Sequence, residues 1–169
     1  MKNIIKIVVI LLLMLASASI YAQKFAHINS SELLAAMPES DSAQAMIEKL
    51  AANYEQQLEE MQVELNKKYD DYLTNRDSYT DLIRQTKEGE ISDLQERIQQ
   101  FQTIASEELQ NKRTEFLRPI IDKANAAIKN VAESNNFVYV FDISQGNPIY
   151  FSEQSVDILP MVKEKLGVK

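Results

Sequence analysis

At 169 residues the chain suits a single domain, and its 18 basic against 25 acidic side chains give a net charge of −7. The absence of cysteine excludes a disulfide framework, a thiolate metal site and a lipid-anchored N-terminal cysteine, and the single histidine excludes a His-rich metal site. The acidic balance disfavours nucleic-acid binding, which needs basic surface to neutralise phosphate.

Residues 1–22 read as an exported leader. Lys2 and Lys6 precede an apolar core from Ile7 to Leu15, followed by Ala16-Ser17-Ala18-Ser19. A signal peptide cut after Ala22, with Ala18 as the alternative, fits this pattern better than an uncleaved anchor, because the apolar core is short for a span of about 20 residues. Losing Lys2 and Lys6 leaves 16 basic residues against 25 acidic ones, a charge of −9.

Lys24 to Asn29 has the pattern of a short strand. Ser30 or Ser31 is a candidate cap for a brief helix, Glu32 to Met37, closed by Pro38. From Ser40 to Glu133 there is one glycine, Gly89, and one proline, Pro119. Apolar residues recur there at three- and four-residue steps: Ile47, Leu50, Tyr54, Leu58, Met61, Leu65 and Tyr69, then Ile91, Leu94, Ile98, Phe101, Ala105 and Leu109. The spacing predicts two amphipathic helices, arms of roughly 55 and 80 Å at about 1.5 Å per residue. Ser40 or Asp41 caps the first. The turn falls near residues 75–80, where Ser78 and Asp81 resemble a capping box. Gly89 competes for the turn, but one glycine costs only about 1 kcal/mol within a helix. The second helix runs from about Tyr79 to Glu133, with a kink expected at Pro119.

Ser134-Asn135-Asn136 ends that helix, and Phe137-Val138-Tyr139-Val140-Phe141 opens an almost unbroken apolar strand extending to Ile143. Gln145-Gly146-Asn147 reads as a turn and Ile149-Tyr150-Phe151 as a short return strand. Asp157 is placed to cap a last helix, Ile158 to Leu166, with Pro160 in its first turn and Gly167 past its end.

The expected organisation is therefore a body from residues 23–40 and 134–169, and a helical arm over 41–133. Three short strands and two short helices bury too little surface to close a core alone, and an open edge at Phe137–Phe141 invites aggregation. The expected fold is mainly α with a small β part: a long antiparallel helical hairpin, a coiled-coil-like tentacle, projecting from a small β-barrel body. That body oligomerises through Phe137, Val138, Tyr139, Val140 and Phe141.

The residues hold no catalytic constellation. His27 has no reachable Ser, Asp or metal partner in sequence. Glu59/Glu60 and Glu107/Glu108 are adjacent pairs whose side chains diverge by about 100° on a helix. There is no helical histidine for a carboxylate-bridged metal site, and no phosphate loop or nucleophile elbow. The expectation is a protein that is not an enzyme and needs no cofactor or metal.

Phe116-Leu117-Arg118-Pro119-Ile120-Ile121-Asp122-Lys123, continuing through Ala127-Ile128-Lys129-Asn130-Val131-Ala132 into Phe137-Val138-Tyr139-Val140-Phe141-Asp142, resembles the Skp/OmpH family of periplasmic chaperones. Phe25-Ala26-His27-Ile28-Asn29 and Asp157-Ile158 fit the same pattern, although Leu159 stands where the family usually has threonine. The resemblance spans the mature chain. It implies a homotrimer with a β-barrel body and three helical tentacles around a cavity, holding unfolded outer-membrane proteins in the periplasm without ATP.

Such a holdase needs adaptable apolar surface, and methionine and tyrosine suit that work. The candidates for client contact are Met46, Tyr54, Leu58, Met61 and Tyr69 on one arm, with Ile91, Ile98 and Phe101 on the other. The competing reading, favoured for most of the stripe, is that these residues zip the arms together. Arg76, Arg84 and Lys87 make the arm tip locally basic, which suits acidic clients or peripheral contact with anionic lipid, with solvated charge as the plainer alternative. A different class of function, a structural coiled-coil adaptor of the envelope that binds one folded partner, is also compatible with the pattern.

Overall fold

The computed structural model describes residues 24–146 and 148–168. The expected leader and Asn147 of the expected turn lie outside the described residues. In chain order the elements are β1 (Lys24–Ile28), α1 (Ser30–Ala35), α2 (Pro38–Asn75), a 3-10 turn (Arg76–Ser78), α3 (Asp81–Ser134), β2 (Phe137–Asp142), β3 (Val156–Asp157) and α4 (Leu159–Leu166). The protein is mainly helical with one small sheet. It divides into two compact units, one of residues 24–31 and 127–167, the other of residues 32–126 with residue 168.

In the first unit β1 is the central strand, flanked by β2 and β3, both parallel to it. Phe25 stands opposite Tyr139, Ala26 opposite Val140 and His27 opposite Phe141, after an irregularity between Lys24 and Phe25. On the other side Ala26 pairs with Val156 and His27 with Asp157. Alternation along the strands puts Phe25, His27, Tyr139 and Phe141 on one face and Ala26, Ile28 and Val140 on the other. The second face is the inward one, since Ala26 and Ile28 are buried, as are Val131, Ile158 and Val162 of the same unit.

The described residues of a single chain form an open three-stranded parallel sheet. One expectation is corrected here. Ile149-Tyr150-Phe151 is not a strand, and β1 takes its second neighbour from Val156–Asp157 instead. A tight return would pair antiparallel with β2, whereas parallel pairing on the far side of β1 requires a crossover of about a dozen residues. Residues 143–155 provide it. α4 begins at Leu159, one residue later than expected, with Ile158 at the N-cap in place of Asp157, although the Asp157 carboxylate accepts the Leu159 N–H at 2.9 Å. It ends at Gly167, whose left-handed φ of 70° closes the last turn onto the Glu164 carbonyl.

In the second unit, α2 starts at Pro38, earlier than the expected cap at Ser40 or Asp41. Proline fits the first helical position, and Met37 before it is extended, as a residue preceding proline prefers. No side chain caps this end, but Glu39 and Asp41 lie in the first turn, where negative charge opposes the helix dipole. The break between the long helices falls at Arg76–Thr80. Ser78 caps nothing beyond it, because its hydroxyl donates back to the Asn75 carbonyl at 2.6 Å. Thr80 takes that role, its hydroxyl oxygen accepting the Ile83 N–H at 3.4 Å. α3 then continues without interruption through both Gly89 and Pro119. Past its end Asn136 adopts φ 57°, a left-handed conformation that asparagine tolerates.

Candidate functional site

Polar and aromatic contacts join α2 to α3, and their partners descend along α3 as they climb along α2. Glu39 pairs with Lys123, and Tyr54 meets Phe101 edge to face with ring centroids 5.9 Å apart. Lys68 bonds Glu90 at 3.0 Å, and the Tyr72 hydroxyl donates to Glu88. The two helices thus lie alongside one another with opposed chain directions. Lys123 holds the Glu39 carboxyl below its usual range, and Lys68 does the same for Glu90. Hydrogen bonding to Glu108 raises the Tyr54 phenol, and bonding to Glu88 raises that of Tyr72. Between these polar ties lie the buried side chains Ile47, Ile91, Leu94, Ile98 and Ala105.

This arrangement sorts the candidate contact residues. Ile98, only 7% exposed, and Ile91 belong to the buried seam between the helices and offer no surface to a partner. Tyr54, Leu58, Met61 and Phe101 are half-buried along it. Tyr69 and Met46 are exposed, about half of each side chain meeting solvent. Further large apolar side chains stand open: Val63, Leu73, Leu82, Ile83, Ile104 and Ile121. Val63, Ile83 and Ile104 fall out of phase with the helical stripe, so a search for periodicity passes over them. The only signal they leave is being large, apolar and on the wrong face.

The three basic residues of the expected tip differ from one another. Arg76 is exposed, whereas Lys87 lies 3.7 Å from Glu90, which it shares with Lys68. Arg84 is half-buried, and its Nε is enclosed without an acceptor. Asp70, Asp71, Asp77 and Asp81 accompany them in sequence, so the segment is mixed in charge.

In the sheet unit, Phe25, Tyr139 and Phe141 form a ring cluster with centroids 6.1 to 6.4 Å apart. The cluster is open to solvent, Tyr139 being 61% exposed, with Val138 also exposed and Phe137 and Val140 half-buried. Among the described residues β2 has no strand on its outer side, and Ile149 and Tyr150 of the crossover are exposed. His27 does have a partner, brought from far along the chain: its Nδ1 lies 2.9 Å from the Ser155 hydroxyl and its ring 4.2 Å from that of Phe151. At the end of β2 the Asp142 carboxylate accepts the N–H and hydroxyl of Ser30 at 3.2 and 2.5 Å, and the Ser144 N–H at 3.0 Å. Partial burial pushes this carboxyl up, but those hydrogen bonds outweigh it and leave the group below the ordinary aspartate value. Among the described residues no three His, Asp or Glu side chains converge as a metal site, and no helix is long and apolar enough to cross a membrane.

One unit with a small parallel sheet and one with two long helices running alongside one another define a mainly helical class of protein. Residues 24–166 match the family described as outer membrane protein (OmpH-like), and this chain belongs to that family. No curated protein matches it in sequence. Among solved structures it is similar to a Caulobacter crescentus CB15 protein described as an OmpH-like outer membrane chaperone. The TM-score is 0.74 at 10% identity, covering 86% of this chain and 84% of the other, a likeness of fold.

Proposed function

We propose that the protein is a periplasmic, ATP-independent holdase that keeps unfolded outer-membrane proteins from aggregating. The observation that carries this reading is the set of large apolar side chains left open along both long helices, among them Met46, Val63, Tyr69, Leu73, Leu82 and Ile104. A solvated helical pair gains nothing for its own folding from apolar groups in water, whereas a holdase uses them to cover apolar segments of an unfolded chain. The OmpH-like family and the chaperone description of the structural relative agree with this role. The exported leader read from residues 1–22 supports the periplasmic setting. In this reading α2 and α3 form an antiparallel hairpin, one arm per subunit, and no catalysis or cofactor is involved.

The exposed ring cluster and the free outer edge of β2 support assembly, with Phe137 to Phe141 closing a barrel between three copies. Val140→Asp places a charge on the apolar strand and is expected to convert the oligomer to monomers or aggregates in analytical ultracentrifugation. A variant that sediments as the wild-type oligomer refutes this mode of assembly.

The burial of Ile91 and Ile98 in the seam favours a second reading, an envelope spacer whose apolar stripe serves only its own helix pairing. The two separate on dilution of a urea-unfolded β-barrel membrane protein into buffer with the purified protein. A holdase keeps it soluble at near-stoichiometric amounts and co-sediments with it. A spacer leaves it to aggregate.

A further inference from the structure

An open apolar groove of about 480 Å³ lies between the start of α2 and residues 115–123 of α3, floored by Ala43, Met46, Phe116, Pro119 and Ile120. Met46 lines it and stands 49% exposed. The volume suits one or two large apolar side chains. Pro119 adds a second property. It lies inside α3 and has no N–H, so the carbonyl of Glu115, four residues earlier, lacks its intrahelical donor. Glu115 and Pro119 both line the groove, which puts an unused backbone acceptor beside the apolar floor.

The charges at the rim narrow the choice of ligand. The ionisable side chains lining the groove are Glu39, Glu115 and Lys123. Lys123 is already paired with Glu39, and Glu115 is held by Lys112 at 2.8 Å. Each rim carboxylate is thus matched by a lysine, no rim cation is left free, and the unpaired backbone group is an acceptor. An anionic headgroup, itself all acceptor, would find both lysines engaged and a carbonyl it cannot bond. A hydrocarbon chain would leave the carbonyl dry and unpaired, at a cost. A polypeptide segment satisfies both requirements, with an apolar side chain for the floor and a backbone N–H for the carbonyl.

We propose that this groove is a docking site for an extended, apolar stretch of an unfolded polypeptide, one backbone N–H of which bonds the Glu115 carbonyl. The inference rests on the holdase reading and gives it a defined point of contact. It assigns binding to Met46, Phe116 and the carbonyl freed by Pro119, and not to the seam residues Tyr54, Ile98 and Phe101.

Pro119→Ala offers an unusual test, because it should strengthen the helix while removing the site. Alanine restores the N–H that occupies the Glu115 carbonyl, so the melting temperature rises. Affinity for a urea-unfolded β-barrel membrane protein is expected to fall about fivefold, as for one lost hydrogen bond. Met46→Glu should weaken binding by tenfold or more, while Met46→Leu keeps it within about twofold, conserving apolar volume. In parallel, a benzoylphenylalanine photocrosslinker replaces Met46 in the full assembled protein. It is irradiated with the unfolded membrane protein, with phosphatidylglycerol vesicles, and alone. Crosslinks to the unfolded chain are expected. Crosslinks only to a second copy or only to lipid overturn the assignment, as does unchanged affinity in both Pro119→Ala and Met46→Glu. If the wild-type protein does not bind the unfolded chain at all, the holdase reading itself fails and the groove assignment falls with it.

Discussion

Asp142 ends β2 with three hydrogen bonds that reach Ser30 and Ser144, and so ties the strand to the first residue of α1. Asp142→Ala removes all three acceptor contacts and is expected to cost about 1 kcal/mol, since water replaces part of what is lost at an accessible site. The pH dependence has a definite sign. The folded carboxyl lies below its unfolded value, so its contribution is complete above the unfolded value. It is lost as pH falls from there through the lowered folded value. Acid titration of thermal stability should show this loss in the wild type and lack it in Asp142→Ala. Gly89 gives a change of opposite direction. It sits inside α3 with open space where a Cβ would point, so Gly89→Ala should stabilise by up to about 1 kcal/mol in denaturant unfolding.

Among the elements, the long helices and β2 were legible because their signals are local and repetitive. Apolar steps of three and four mark α2 and α3, and a run of β-branched and aromatic residues marks β2. Features that depend on distant partners were not. Nothing in residues 149–151 reveals that β1 will pair with Val156 and Asp157 in parallel and leave Ile149-Tyr150-Phe151 outside the sheet. Likewise the Ser155 partner of His27 lies 128 residues away. Helix starts were misplaced where two capping signals compete within a few residues: Pro38 against Ser40, and Thr80 against Ser78. The apolar stripe itself was ambiguous, because periodicity locates a face without saying what covers it. Burial separates the two cases. Ile98→Ala removes a side chain enclosed in the seam and should cost about 2–4 kcal/mol, whereas Tyr69→Ser at an open position should change stability by no more than about 0.5 kcal/mol. Paired denaturation curves measure both. Equal losses would show that Tyr69 also serves helix pairing.

For the whole molecule, charge decides how a partner can be held. From Asp41 to Asn75 the chain carries eight acidic residues, among them Glu55, Glu59, Glu60 and Glu64, against Lys49, Lys67 and Lys68. Residues 76–87 reverse the balance with Arg76, Arg84 and Lys87 against Asp77 and Asp81, but Lys87 is already engaged by Glu90. In the proposed holdase reading, an unfolded client of net negative charge would therefore meet repulsion from most of α2 and little free positive charge in return. Exposed charges are screened beyond about 8 Å at physiological ionic strength, so added salt should weaken this repulsion and leave apolar contacts intact or strengthened. Affinity for such a client is accordingly expected to stay level or rise between low and high salt. Arg84→Glu combined with Lys87→Glu should slow association more than it speeds release, because charges at a rim steer encounter. Stopped-flow association and equilibrium binding at two ionic strengths measure both quantities. A tenfold or larger loss of affinity with added salt would show that electrostatic capture dominates, and the open apolar residues of the helices could not then be the principal grip on the client.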